Sequence, residues 1–235
     1  MKINEKNLDQ DIKTLRETGV LRISNFLEEE FADKIFQCLS NEVSWGLSCK
    51  LSPNEKDGQV FLDTSDLADL SMLKQKNIRN LQKTDVFQYV YNTYMMVTAY
   101  IEKRDPDLYL NKILEWLNSI NTHQYFKRLT ENYTIKKINA QATRYLPGHY
   151  LTQHSDKHEE EGRLYAYIMG FSKDWNPAWG GLLNILDNDG KIIHTLIPEY
   201  NSLSIFKVPQ EHFVSMVTPQ AKTERIGITG WLLEN

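Results

Sequence analysis

Cysteine, uninterrupted apolar sequence and surplus positive charge are all scarce in this chain. Two cysteines in 235 residues, Cys38 and Cys49, make neither a disulfide framework nor a paired metal spacing. Their expected state is that of thiols in a reducing, cytoplasmic setting. No apolar run follows Met1, so a secretory leader is not expected. The longest apolar stretches fall well short of a membrane span, which argues against a membrane partner. A formal charge of −4 gives no electrostatic reason to expect nucleic acid. Basic clusters such as Lys136-Lys137 are too short to form a binding stripe. Internal repeats and low-complexity segments are also absent.

Apolar residues make up 41% of the chain and charged residues 25%, enough to build a sizeable core and keep a polar surface. One domain over 1–235 is expected, with a helix-rich support over 1–132 and a strand-rich core over 133–235. In the first part, Phe31, Ile35, Phe36 and Leu39 recur at helical spacing within Glu28–Leu39. Leu110, Ile113, Leu114 and Leu117 do the same within Asp107–Leu117, with Pro106 near its start. Tyr125–Glu131 predicts a further short helix, and Val20–Ile23 a strand. Asp85–Ile101, apolar and aromatic, predicts one buried element, and Ser52–Gly58 a loop.

From Tyr133 the pattern changes to short strands separated by turn residues. The candidates are Ile135–Leu146, Tyr150–Asp156, Leu164–Phe171, Gly181–Leu186, Lys191–Ile197, Ser202–Val208, His212–Thr218 and Arg225–Leu233. Pro147-Gly148, Asn176-Pro177, Asp187–Gly190, Pro198 and Pro209 punctuate them. Eight short strands without intervening helices fit a double-sheet jelly roll. The expected fold class is therefore mainly β with N-terminal helices (α+β), a jelly-roll core flanked by helices.

His154-Ser155-Asp156, with His212 downstream, carries the chemistry. Side chains at i and i+2 of a strand point the same way, so His154 and Asp156 project together. His212 opens a later strand and can supply a third ligand from across the barrel. Two imidazoles and one carboxylate hold Fe(II) on one face and leave positions open for a bidentate cosubstrate and dioxygen. The same ligand types suit other divalent metals, and any single His or Asp has an ordinary polar role as its alternative. His123, His149, His158 and His194 are read as non-ligands, His149 being near enough to point toward the pocket.

The arginine that follows His212 is Arg225. Arg225, Gly227, Thr229 and Trp231 share one face of the last strand, while Ile226, Ile228 and Leu232 need a buried face of their own. An inward Arg would be a costly unpaired charge unless a carboxylate ligand met its planar fork, here the far carboxylate of 2-oxoglutarate. The competing arrangement turns Arg225 to solvent with Glu224 as partner. Tyr145 could donate a hydrogen bond to the same carboxylate or be a core aromatic. Val214 and Met216, on the His212 face, could pack against the bound cosubstrate.

These residues resemble the 2-oxoglutarate- and Fe(II)-dependent oxygenases, within the prolyl hydroxylase group. Tyr145–Gly148 leading into His154–Asp156 is similar to that group's first metal strand. Lys173-Asp174-Trp175 and Gly180–Ile185 are similar to its next loop and strand. Ser202–Phe206 before His212, and Arg225–Trp231, resemble its closing strands. The closing Gly230-Trp231 resembles the branch that hydroxylates a proline of a small-subunit ribosomal protein. Resemblance covers about Tyr133–Leu233, with an echo at Phe87–Asn92. It implies a double-stranded β-helix fold, iron on His154, Asp156 and His212, and 2-oxoglutarate on Arg225 and Tyr145. Ascorbate enters only as a reductant. Many relatives carry a Tyr before Lys173, where this chain has Met169-Gly170. The chain ends at Asn235, so the second, degenerate barrel common in the ribosomal branch is not expected.

The implied reaction is hydroxylation of a prolyl residue in a protein or peptide, with succinate and carbon dioxide as co-products. A small-molecule substrate such as a free amino acid is the alternative within the same chemistry. A non-catalytic jelly-roll binding module needs neither the three ligands nor Arg225, and a metal-dependent isomerase on this barrel usually has more His ligands. The loops Ser48–Thr64 and Lys157–Gly162 are expected at the mouth. Glu159-Glu160-Glu161 there would meet a basic protein segment or simply be solvated.

Overall fold

The computed structural model describes residues 2–50, 59–61 and 87–235. Among these residues are five α-helices: α1 (Leu8–Thr18), α2 (Glu29–Asn41), α3 (Met96–Ile101), α4 (Tyr109–Leu117) and α5 (Ile120–Thr130). The strands that come before the C-terminal run are β1 (Val20–Ser24), β2 (Gly46–Lys50), β3 (Gln59–Phe61) and β4 (Tyr89–Tyr94). The run itself comprises β5 (Lys137–Ile138), β6 (Gln141–Tyr145), β7 (Tyr150–His154), β8 (Arg163–Phe171), β9 (Leu183–Leu186), β10 (Ile192–Leu196), β11 (Tyr200–Lys207), β12 (His212–Val214) and β13 (Arg225–Leu233).

All the strands join one antiparallel sheet, in the order β1-β11-β8-β13-β6-β4-β7-β12-β9-β10, with β2 and β3 added beside β4, and β5 on β13. The sheet curls into the expected jelly roll. Its N-terminal contribution is larger than the sequence pattern suggested. β1 zips along β11, pairing Val20 with Phe206 and Ser24 with Ser202. β4 bridges β6 and β7. The stretch expected as one buried element over Asp85–Ile101 is a strand followed by a helix, β4 and α3. Alternating Tyr89, Tyr91 and Thr93 suit a strand, and Met96 and Ala99, both buried at a spacing of three, suit a packed helix. Asp85 and Val86 lie outside the described residues, as do the Ser52–Gly58 loop and most of the Ser48–Thr64 segment.

Two further boundaries differ. Ile135–Leu146 divides into β5 and β6, because Asn139 turns its carbonyl to the Tyr167 hydroxyl (2.8 Å). β12 stops at Val214. There the pairing with β7 shifts register, and Met216 ends 49% exposed, away from the interior it was expected to share with Val214.

Helices and sheet enclose one large core. α2 contributes Ala32, Ile35, Cys38 and Leu39, and α4 contributes Leu110, Ile113, Leu114 and Leu117, all buried. α1 ends at Gly19, whose left-handed φ of 72° lets the chain reverse straight into β1. α5 starts at Ser119, whose side chain accepts from the Thr122 amide. Against these helices lie Met169, Phe171, Leu203, Ile205, Ile226 and Ile228 from the outer sheet face. A second apolar cluster fills the barrel interior, with Tyr145, Ala166, Leu183, Ile185, Phe206 and Val214.

β13 therefore separates two environments by alternation alone. Ile226 and Ile228 face the helices, while Arg225 and Thr229 face the interior. Ile228→Ala should cost about 3 kcal/mol of stability, since this fully buried side chain leaves a cavity when truncated. A denaturant midpoint lowered by that amount, with ligand affinity in the folded protein unchanged, is the expected outcome.

Candidate active site

The interior cavity holds about 580 Å³ and is walled by β4, β6, β7, β8, β9, β11, β12 and β13. At one end, His154, Asp156 and His212 converge, their ligand atoms all within 4.8 Å of one another. His154 ends β7, and Asp156 follows two residues later, just past the strand. His212 opens β12 and pairs directly with His154 across the sheet. Asp156 Oδ1 lies 3.6 Å from His154 Nε2, and its Oδ2 lies 3.5 Å from His212 Nε2.

Both imidazoles are oriented by carbonyls two residues upstream. His154 Nδ1 contacts the Thr152 oxygen at 2.9 Å, and His212 Nδ1 contacts the Gln210 oxygen at 2.8 Å. A carbonyl only accepts, so each Nδ1 carries the proton and each Nε2 turns its lone pair toward Asp156. Phe87 tilts against His154 at 5.0 Å and Phe206 packs edge-on to His212 at 4.7 Å, which restrains both rings.

Electrostatics favours the ligand-ready state. Burial, then proximity to His154, holds His212 below its ordinary value, which keeps it neutral. Burial alone would raise Asp156. The proximity of His154, then of His212, outweighs it and holds the carboxyl below its ordinary value. Neutral imidazole and ionised carboxylate are the forms that bind metal, and this donor set fits a divalent cation of the Fe(II) type.

Arg225 faces the same cavity from the start of β13, paired in register with Tyr145 on β6. Its guanidinium carbon sits 4.4 Å from the centre of the Tyr145 ring. Tyr145 stacks in turn on Tyr91 at 5.1 Å. Among the described residues no carboxylate pairs with Arg225, and Glu224 pairs with Arg144 instead, at 3.6 Å. The solvent-facing arrangement is thus replaced by an interior cation whose charge burial disfavours. A ligand carboxylate fits that position. Gly181, with φ 64°, leaves room for the Arg225 stem: a Cβ there would meet Arg225 Cδ at 3.2 Å. Val214 also lines the cavity, and Tyr145 is both core aromatic and cavity wall. His149 is buried but outside the cavity lining, His158 is exposed, and neither joins the metal cluster.

Residues 140–233 match the family model of the 2OG-Fe(II) oxygenase superfamily. The matched stretch holds the three-ligand cluster and Arg225, and the chain resembles the prolyl hydroxylase group of these oxygenases. It is 30% identical over 115 residues to prolyl 3-hydroxylase OGFOD1 of Xenopus laevis, a match over 46% of this chain and 22% of that protein. The Mus musculus protein of the same name is 36% identical over 80 residues, 31% of this chain and 14% of that protein. The chain thus spans less than a quarter of the length of these curated relatives. Its fold is shared with a prolyl-4-hydroxylase of Pseudomonas putida at TM-score 0.61 and 14% identity, over 97% of this chain and 99% of that one. It is also shared with a prolyl hydroxylase of Trichoplax adhaerens, solved with a peptide fragment of hypoxia inducible factor, at TM-score 0.60 and 16% identity, over 98% and 90%. Both comparisons bear out the jelly-roll expectation.

Several cavity residues escaped the sequence reading. Phe87, Tyr89 and Tyr91 line the wall with ring spacings of 5.5 and 5.4 Å. Their period of two was a legible signal for a strand, hidden by the apolar length of Asp85–Ile101. Arg163, between the expected Lys157–Gly162 loop and the Leu164–Phe171 strand, was not singled out. It stacks over Trp231 at 3.7 Å and reaches the Asp156 backbone oxygen at 3.4 Å. Nothing local in the sequence marks that contact.

His154→Ala, Asp156→Ala and His212→Ala should each abolish calorimetric Mn(II) binding while the far-ultraviolet spectrum stays unchanged. Acid should also expose the His212 term. A depressed folded value makes its contribution complete above the ordinary 6.5, and that contribution is lost as pH falls through the lowered value. The stability of metal-free wild type should therefore decline relative to His212→Asn as buffers run from about pH 7.5 to about pH 5.

Proposed function

We propose that this protein is a dioxygenase that hydroxylates a prolyl residue of a protein or peptide, using Fe(II) and 2-oxoglutarate and releasing succinate and carbon dioxide. The observation that carries the reading is a three-ligand cluster and an interior arginine at two places in one cavity. Bound iron and 2-oxoglutarate supply the dioxygen activation that oxidises an unactivated C–H bond.

The chain's own residues position and protect. His154, Asp156 and His212 hold the metal, with Thr152 and Gln210 carbonyls fixing the imidazole tautomers. Arg225 grips the far carboxylate of the cosubstrate, and Tyr145 presents its hydroxyl beside that grip. Val214, Leu183 and Phe206 keep the intervening wall apolar and exclude water. Arg163 and Trp231 form a cationic and aromatic rim next to Asp156, where a substrate residue would enter.

A protein substrate is supported by the relatives named prolyl 3-hydroxylase and by the peptide in the Trichoplax structure. The acidic Glu159 and Glu160 are exposed beside the metal end and suit a basic segment. The cavity size favours a second reading, a small molecule such as a free amino acid, since roughly 300–1,000 Å³ is the usual range for such ligands. A cytoplasmic setting belongs to the same proposal: both cysteines are buried and neither is in a disulfide.

The decisive experiment is anaerobic titration of metal-free protein with Fe(II), then 2-oxoglutarate, watching for the visible charge-transfer band of the chelate. Absence of the band in folded, iron-loaded protein would remove the cosubstrate assignment. Prolyl peptides and free amino acids, compared for stimulated succinate release, separate the two substrate readings. Arg225→Ala should weaken 2-oxoglutarate binding by about 2 kcal/mol or more, roughly thirtyfold, because it removes the cationic half of a buried pair.

A further inference from the structure

A second, smaller cavity adjoins the first behind Arg225. Thr143, Ile168, Leu183 and Arg225 line both, and Arg22, Gly170, Ser202 and Ser204 line only the second. Arg22 comes from β1, the strand that the N-terminal half lends to the barrel, and pairs with Ser204 of β11. Its Nε donates to Ser204 Oγ at 2.8 Å, and its Nη1 donates to the Ile197 oxygen at 2.9 Å and to Glu199 at 3.0 Å. Nη2 makes no hydrogen bond among the described residues.

Gly170 explains why an arginine can reach this position. A Cβ on Gly170 would lie 2.5 Å from the Glu199 carbonyl and 2.7 Å from Ser202 Oγ, so β8 can place no side chain here. The interior wall at this level is instead supplied from β1. Two guanidinium groups now border one pocket, and Glu199 is the carboxylate that pairs with Arg22. One positive charge remains to be balanced, and the two cations repel each other.

Resting on the proposed cosubstrate reading, we infer that Arg22 is a positioning residue for 2-oxoglutarate, completing with Arg225 a two-cation socket for its far carboxylate. The anion balances the pocket, and Arg22 biases Arg225 toward the metal end by repulsion from behind. Held by Glu199 and Ser204, Arg22 is pre-set in this role. The specificity it confers is for a 2-oxo acid that carries a second carboxylate.

The test compares two chelating ligands on Mn(II)-loaded protein by calorimetry, 2-oxoglutarate and 2-oxopentanoate. The second has the same carbon chain and a methyl group in place of the far carboxylate. Arg22→Met should weaken 2-oxoglutarate about tenfold, the scale of one lost charge-assisted contact, and leave 2-oxopentanoate unchanged. Arg22→Lys, which keeps the charge and the β1 packing, should recover part of that loss, and it serves if the Met variant does not fold. Equal weakening of both ligands would make Arg22 a structural pin of β1 and overturn the assignment. Unchanged affinity for 2-oxoglutarate would overturn it as well. A wild type that binds Mn(II) but not 2-oxoglutarate would instead sink the cosubstrate reading on which this one rests.

Discussion

Everything at the site depends on the pairing of His154 with His212 across β7 and β12. These residues are 58 positions apart in sequence, and a one-residue slip would turn one imidazole to the other face of the sheet. The register is protected on both sides. β12 is clamped between β7 and β9, and Ile185, opposite His212, is fully buried. The two candidate imidazole ligands are thus fixed by a three-strand hydrogen-bond ladder and its apolar filling. The two upstream carbonyls then need only set the ring tautomers.

The same barrel must hold charge in its interior, and it does so by three different means. Asp156 is stabilised by the two imidazoles. Arg163 is shared between Glu161, at 2.8 Å, and the face of Trp231. Arg225 rests on the face of Tyr145, backed by Tyr91, and has no carboxylate of its own among the described residues. The arrangement separates a metal end from a carboxylate end within one cavity.

Much of this was legible because strand alternation is a local property. His154 and Asp156 on one side, and Arg225 against Ile226 and Ile228 on β13, follow from a period of two. The helices α2 and α4 followed equally from a period near 3.6, and their boundaries shifted by at most two residues at either end. Where alternation failed, a tertiary contact intervened. Met216 left the His212 face because β12 ends in a register shift, and Ile135–Leu146 split where the Asn139 carbonyl accepts from Tyr167. The aromatic wall at Phe87, Tyr89 and Tyr91 was read as part of a longer buried element because apolar length alone does not distinguish a strand from a helix.

The amino-acid sequence by itself determined the ligand types, their spacing, the jelly-roll pattern after Tyr133 and the inward face of Arg225, since each rests on neighbours within a few positions. Only the tertiary structure decided that the N-terminal strands β1 and β4 close the barrel, that Arg163 turns back onto Trp231, and that Arg22 shares a pocket with Arg225. Those features join segments from 48 to 203 positions apart, and sequence periodicity holds no information about which distant strands will pair. The hydrogen-bonding and burial demands of a closing sheet supply it.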